Sequence, residues 1–311
     1  MDFHFATAME TVADCFPNRT ATIADGRALN WQSFERRAAS IAGLLEAHGI
    51  SADSKVGLYL HNSNEYQEAQ FGVFKVGGCP INVNYRYKAD ELVYLLDNSD
   101  AEAVFFQSCY AMRIWEIRER LPKVKLLVQI DDGTEALLKG AVDYERAIRE
   151  NPPLARRPQN PEGVYMLYTG GTTGVSKGAM LTHRNILCNV LQAVSILKEG
   201  DVNYGGEVRV SPLPLYHIFA FTANCIASVF TGFHTILITN PRDLDGLIAD
   251  LKRHPFTLLT GINSLFVSLM NHPEFDNVDF SRLKWVNSGG APLNTEIARR
   301  WQARTGSVVR E

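Results

Sequence analysis

The sequence predicts an α/β protein made of two doubly wound, mostly parallel-sheet subdomains. Apolar runs of strand length alternate with helical-period patterns along most of its 311 residues, the signature of repeated strand-helix-strand units. A segment from 151 to 161 with four prolines, Pro152, Pro153, Pro158 and Pro161, beside Arg156 and Arg157 can hold neither a helix nor a central strand. The alternation resumes beyond it. These observations predict a first α/β subdomain over 1–150, a proline-rich linker over 151–161, and a second subdomain over 162–311.

The elements follow in order. Phe34, Ala38, Ile41, Ala42 and Leu45 recur at helical spacing, Val56 to Leu60 reads as a strand, and Glu65 to Val76 as a second helix. Ile81 to Val83 is a short strand, followed by a helix around Leu92, Leu95 and Leu96, the strand Ala103 to Phe106, the helix Met112 to Leu121 and the strand Val124 to Ile130. After the linker come strand Val164 to Tyr168, helix Asn185 to Leu197, strand Val208 to Leu213, helix Phe219 to Phe230 and strand Thr235 to Thr239. Phe256 to Leu259 and Trp285 to Val286 continue the series, and Val308-Val309 opens a further strand.

Charge and cysteine usage narrow the classes. Thirty-one Lys plus Arg against 34 Asp plus Glu give a net charge of −3, which supplies no basic field for a nucleic acid. Cys15, Cys79, Cys109, Cys188 and Cys225 lie far apart with no CxxC pair, as expected of reduced thiols in a cytosolic protein. The first residues carry Asp2 and Glu10 and no Lys or Arg, unlike a secretory signal. Val210 to Pro241 contains no Asp, Glu, Lys or Arg and is long enough to span a bilayer. Pro212, Pro214, His217, Asn224 and Gly232 interrupt it, so a buried strand-helix-strand is expected instead.

The chemistry concentrates in Tyr168-Thr169-Gly170-Gly171-Thr172-Thr173-Gly174-Val175-Ser176-Lys177-Gly178, directly after an apolar strand. Glycines let main-chain N–H groups approach a bulky anion, hydroxyls add short donors, and a lysine adds a mobile charge for phosphate oxygens. The composite suits a polyphosphate. A Walker loop is excluded, because Ser176 rather than glycine precedes Lys177 and Gly178 follows it. Gly174 to Gly178 also fits the GxSxG elbow of an α/β-hydrolase, with Ser176 as nucleophile, but Thr169 to Thr173 intervene between strand and elbow, and apolar Ala179-Met180-Leu181 follows.

This loop resembles the phosphate-binding signature of the adenylate-forming, AMP-binding superfamily. Pro212-Leu213-Pro214-Leu215-Tyr216-His217-Ile218-Phe219-Ala220 resembles that family's next motif, and Asn287-Ser288-Gly289-Gly290-Ala291-Pro292-Leu293 the one after it. With Ile238-Thr239-Asn240-Pro241-Arg242-Asp243 between them, the set is most similar to long-chain fatty acid CoA ligases. Gly170 and Ser176, where many members have serine and proline, are similar to that branch, while Asn82-Val83-Asn84-Tyr85-Arg86-Tyr87 resembles a group with steroid-derived or branched acids.

The resemblance implies the large N-terminal domain of an adenylate-forming enzyme, truncated at the C-terminus, with ATP, Mg2+ and coenzyme A as cofactors and co-substrate. Thr169, Gly170, Gly171, Thr172, Thr173, Gly174, Ser176 and Lys177 would hold the β and γ phosphates, with Thr172 nearest the metal. Gly290, Ala291 and Pro292 would lie along the adenine; Gly289 would leave room for the carboxylate, with His217 beside it; and Phe219 to Phe230 would line an acyl tunnel. The implied activity is an acyl-CoA ligase whose partner is a small carboxylic acid, a fatty acid by resemblance, and no nucleic acid. A cytoplasmic location is expected, and the substrate class admits peripheral membrane contact and a homodimer of the full-length protein. The family's later motifs and small C-terminal domain would lie beyond Glu311, so the 311-residue chain is expected not to complete adenylation alone. A non-catalytic acyl or nucleotide binding module, or half of a split ligase, is the alternative.

Overall fold

The computed structural model describes residues 4–169, 176–197 and 202–311. The chain forms two compact units, one from residues 1–17, 31–61 and 65–192, the other from 18–30, 62–64 and 193–311. Each is built on its own seven-stranded sheet.

In the first unit the strand order is Val142–Asp143, Leu126–Ile130, Ala101–Gln107, Lys55–Tyr59, Cys79–Asn82, Val164–Thr169 and Lys177–Thr182. All neighbours are parallel except the last pair, which is antiparallel. One sheet face, with Tyr59, Val104 and Phe106, packs against Leu92, Leu95 and Ile114 from helices Ala89–Asn98 and Ala111–Ile117. The opposite face carries Phe105, whose ring lies 6.2 Å from Tyr144, and the helices on that side share the buried rings of Phe34, Phe71 and Phe74. Full burial of each such side chain contributes about 1.5–3 kcal/mol.

Buried charges in this unit are paired. Lys75, 3% exposed, bridges Glu10 and Glu35, and Arg37 bridges Glu68 and Glu145 while the Tyr144 hydroxyl donates to Glu68. His4 and His183 stack with ring centroids 3.8 Å apart, and the Phe5 amide donates to His183 Nδ1. Burial holds the His4 imidazole down at about 4 and His183 at about 2, the latter also because His4 lies against it.

In the second unit the order is Val309–Arg310, Trp285–Ser288, Leu258–Gly261, Val208–Ser211, His234–Leu237, Thr20–Ala24 and Arg27–Asn30. Only the final hairpin is antiparallel, turning through Asp25 and Gly26 at φ +48° and +75°. One face, with Val210, Ile236, Leu259 and Val286, packs against Leu247, Leu251, Phe266, Leu269 and Trp301. These side chains come from helices Leu244–Arg253, Asn263–Met270 and Thr295–Thr305.

Three expectations need correcting. The proline-rich segment does not separate the two sheets, because Cys79–Asn82 pairs in parallel with Val164–Thr169 on its far side. Residues 151–160 instead run as irregular chain held to the first unit: the Leu154 amide donates to Ala39 O, Arg156 to Asp14 and Arg157 to Glu46. Lys177 and Gly178, read as the end of the loop, instead open the strand Lys177–Thr182, whose backbone forms a six-residue antiparallel ladder with Val164–Thr169. The helix expected over 219–230 is α-helical at Ile218–Ala220 and Ala227–Thr231 but π-helical over Phe221–Ile226. Strand, helix and strand do occupy the charge-free stretch, and among the described residues no helix is long and apolar enough to cross a membrane.

Candidate functional site

The three signature segments all follow the carboxyl ends of parallel strands, where open α/β sheets present their ligand sites. In the first unit that strand is Val164–Thr169, and Thr169 sits directly across from Lys177 in the antiparallel ladder. Gly170, Gly171, Thr172, Thr173 and Gly174 lie outside the described residues. The base of the loop is fixed by tyrosines: Tyr87 Oη lies 3.2 Å from Ser176 Oγ, Tyr94 Oη donates to the Ser176 carbonyl at 2.9 Å, and Tyr168 Oη donates to Asn98 Oδ1 at 2.7 Å. Burial pushes the Tyr168 phenol up to about 12, so it stays a donor. Thr169 and Lys177 are exposed at the mouth. Ser176 precedes a strand, not a helix, which removes the strand-to-helix turn a nucleophile elbow needs.

In the second unit, Val208–Ser211 leads into Pro212-Leu213-Pro214-Leu215-Tyr216-His217. The buried side chain of Asn62 holds this turn. Its Nδ2 donates to the carbonyls of Leu213 at 2.9 Å and Ile238 at 3.2 Å, and its Oδ1 accepts from the Leu215 amide at 2.9 Å. His217 is exposed, its amide donating to Pro214 O at 3.0 Å and its ring tilted 4.3 Å from Tyr216. A histidine buried on a backbone carbonyl is therefore not what the fold builds. Thr239 donates to Asp25 and Asn62, and Asp243 caps the helix Leu244–Arg253 by accepting from Gly246 N. The Ile238 to Asp243 motif thus acts as a turn and helix start.

Trp285–Ser288 ends in Gly289-Gly290-Ala291-Pro292. Gly289 lies under the half-buried Phe219 ring, with a Cβ there only 3.0–3.2 Å from three ring carbons. The structure therefore brings Phe219 and Gly289 together, and the space beside Gly289 belongs to that ring. Gly290 takes φ +81°, in the left-handed region, and with Ala291 and Pro292 forms an exposed ledge open to a flat ligand. Asn263 clamps this ledge, donating to Pro292 O at 2.9 Å and accepting from Asn294 N at 3.0 Å.

Asn62 and Asn263 were not visible as functional positions, because each acts on backbone atoms far along the chain. The residue types offered are hydroxyls and a lysine at one strand end, and a histidine and an open glycine ledge at two others. Taken unit by unit, the first offers a cation and hydroxyls suited to phosphate oxygens, and the second an unobstructed backbone surface suited to a flat ring. For a metal, among the described residues no group of three or more His, Cys, Asp or Glu is placed to hold one.

Residues 9–311 match the AMP-binding enzyme family. Long-chain-fatty-acid–CoA ligases of Salmonella typhimurium and Escherichia coli O157:H7 are both 33% identical over 97% of this chain, which spans 58% and 59% of their lengths. A 3-oxocholest-4-en-26-oate–CoA ligase of Rhodococcus rhodochrous is 36% identical over 60% of this chain and 34% of its own. The solved structure of an anthranilate CoA ligase in complex with anthranoyl-AMP shares the fold at a TM-score of 0.90 and 21% identity, covering 98% of this chain and 58% of that one. A match running through almost every residue, and taking in all three strand-end segments, shows that the chain belongs to the AMP-binding enzyme family.

Proposed function

We propose that this chain provides the nucleotide and acid sites of an ATP-dependent acid–CoA ligase acting on a fatty acid or a related carboxylic acid. The observation that carries the reading is the placement of all three signature segments at strand carboxyl ends, each held by its own side-chain anchor. The relatives' names support the reaction type and favour long hydrocarbon acids, with a steroid-derived acid in the shorter match.

In the reaction a carboxylate oxygen bonds to the α-phosphorus of ATP while the bond to pyrophosphate breaks and the electron pair leaves with it. The thiolate of CoA then bonds to the acyl carbon and AMP departs. Lys177 and Thr169 would hold the phosphates and offset charge on pyrophosphate, with Gly170, Gly171, Thr172, Thr173, Gly174 and Ser176 completing the loop. Mg2+, with Thr172 nearest, would neutralise the triphosphate. Gly290, Ala291 and Pro292 would support the adenine, and His217 would orient the carboxylate beside Phe219, whose ring takes the space that Gly289 leaves.

Titration calorimetry of ATP and of AMP against the 311-residue chain tests this. Wild type should bind both, and Lys177→Ala should weaken ATP by about tenfold, one charged hydrogen bond, while leaving AMP unchanged. No binding of either nucleotide, or equal losses for both, would overturn the assignment.

A further inference from the structure

The two faces of the second unit's sheet differ sharply. One carries the apolar cluster of Val210, Ile236, Leu259 and Val286. On the other, Arg209 is 3% exposed, and its Nε and Nη1 have no hydrogen-bond partner among the described residues. The guanidinium carbon lies 5.8 Å from the centre of the Phe233 ring. Strand alternation places Ser211 on the same face, and the parallel register puts Thr235 beside Arg209 and Thr22 beside Thr235. Ser211 Oγ and Thr22 Oγ1 are likewise buried without partners among the described residues.

Helix Ile218–Thr231 lies over this face, since Asn224 Nδ2 donates to Thr260 Oγ1 at 2.8 Å from its π-helical stretch. Asn224 Oδ1 and, four residues on, Ser228 Oγ are also buried and unpartnered among the described residues. Glu207, two residues back on the same face, is taken up by Lys284, and among the described residues no acid pairs with Arg209; a core built only for packing would not gather a guanidinium, an amide oxygen and three hydroxyls in this way. Buried guanidinium donors without a protein acceptor need an acceptor from elsewhere. Burial lowers the Arg209 guanidinium only to about 10, so it remains charged at neutral pH. The helix starts immediately after His217, and Asn224 lies about 10 Å along it at 1.5 Å per residue.

We propose that this layer receives the far end of the acid substrate, so that the preferred acid carries a remote carboxylate or ketone oxygen rather than ending in unsubstituted hydrocarbon. The proposal rests on the acid-activating reading above. Arg209 is its principal donor, and Ser211, Asn224 and Ser228 complete the shell. The apolar tunnel wall expected from 219–230 is thus interrupted on its sheet side by Asn224 and Ser228.

Three probes test it by calorimetry on the whole chain: dodecanoate, dodecanedioate, and dodecanoate bearing a ketone on its penultimate carbon. Wild type should favour at least one oxygenated acid over dodecanoate by about tenfold, the worth of one charge-assisted hydrogen bond. Arg209→Met should abolish that preference and leave dodecanoate binding intact, and Ser228→Ala should reduce it. Met fills a similar volume without a buried charge, so this variant is expected to fold. If dodecanoate binds and no preference is seen, or if Arg209→Met keeps the preference, the polar layer is satisfied by internal water and this proposal alone falls. If no acid binds at all, the acid-activating reading falls with it.

Discussion

Gly289→Ala examines the contact between Gly289 and the Phe219 ring. A Cβ at this position would stand 3.0, 3.1 and 3.2 Å from three carbons of the Phe219 ring. Ordinary carbon contacts lie at about 3.5–4.0 Å, so the ring must retreat by roughly half an ångström. Overpacking of this kind costs about 1–3 kcal/mol, and because Phe219 is only half-buried and has room to yield, the lower end is expected. Thermal unfolding should show a fall of roughly 2–4 °C per kcal/mol for a domain of this size. Phe219→Leu and the double variant complete the cycle. With the ring gone, the added methyl has nothing to displace, so the double variant should recover about 1 kcal/mol relative to the sum of the singles. An identical cost for Gly289→Ala with and without the ring would refute the claim that Phe219 fills the space Gly289 leaves.

Other outcomes follow from the same reasoning. Lys75→Met should lower stability by about 3–5 kcal/mol, because Glu10 and Glu35 lose their buried cation; a urea midpoint within error of wild type would contradict this. Asn62→Ala removes the bonds to the Leu215 amide and the Leu213 carbonyl and should cost about 1–3 kcal/mol, with faster amide exchange at Leu215 as the specific sign. The His4–His183 stack makes the fold acid-sensitive. Both folded values lie below the unfolded value of 6.5, so the neutral rings contribute fully above it, and that contribution is lost as pH falls towards about 4 for His4 and further for His183. Each adds about 1.4 kcal/mol per pH unit to the slope between about pH 6 and 4, and urea midpoints for His183→Gln that follow the wild-type slope would count against the stack.

The alternation of apolar runs was enough to predict two α/β sheets, because strand and helix periods are written locally in side-chain spacing. The loop stood out because phosphate chemistry favours particular residue types in consecutive positions, whereas His217 and the Gly290 to Pro292 ledge were singled out only by the resemblance of their motifs to the AMP-binding family. The hairpin at Thr20–Asn30 had a local signal too, Asp25-Gly26 between apolar residues, which the helical pattern after it obscured. Nothing local, however, states which sheet a strand joins. That Thr20–Ala24 pairs with His234–Leu237, and that Val164–Thr169 reaches back past the prolines to Cys79–Asn82, was decided by tertiary packing. The same holds for Asn62 beneath the His217 turn, Asn263 beneath the ledge, and Arg209, whose Nε and Nη1 have no partner among the described residues. Each depends on hydrogen-bond partners or their absence at residues distant in sequence, and only folding brings those atoms within reach.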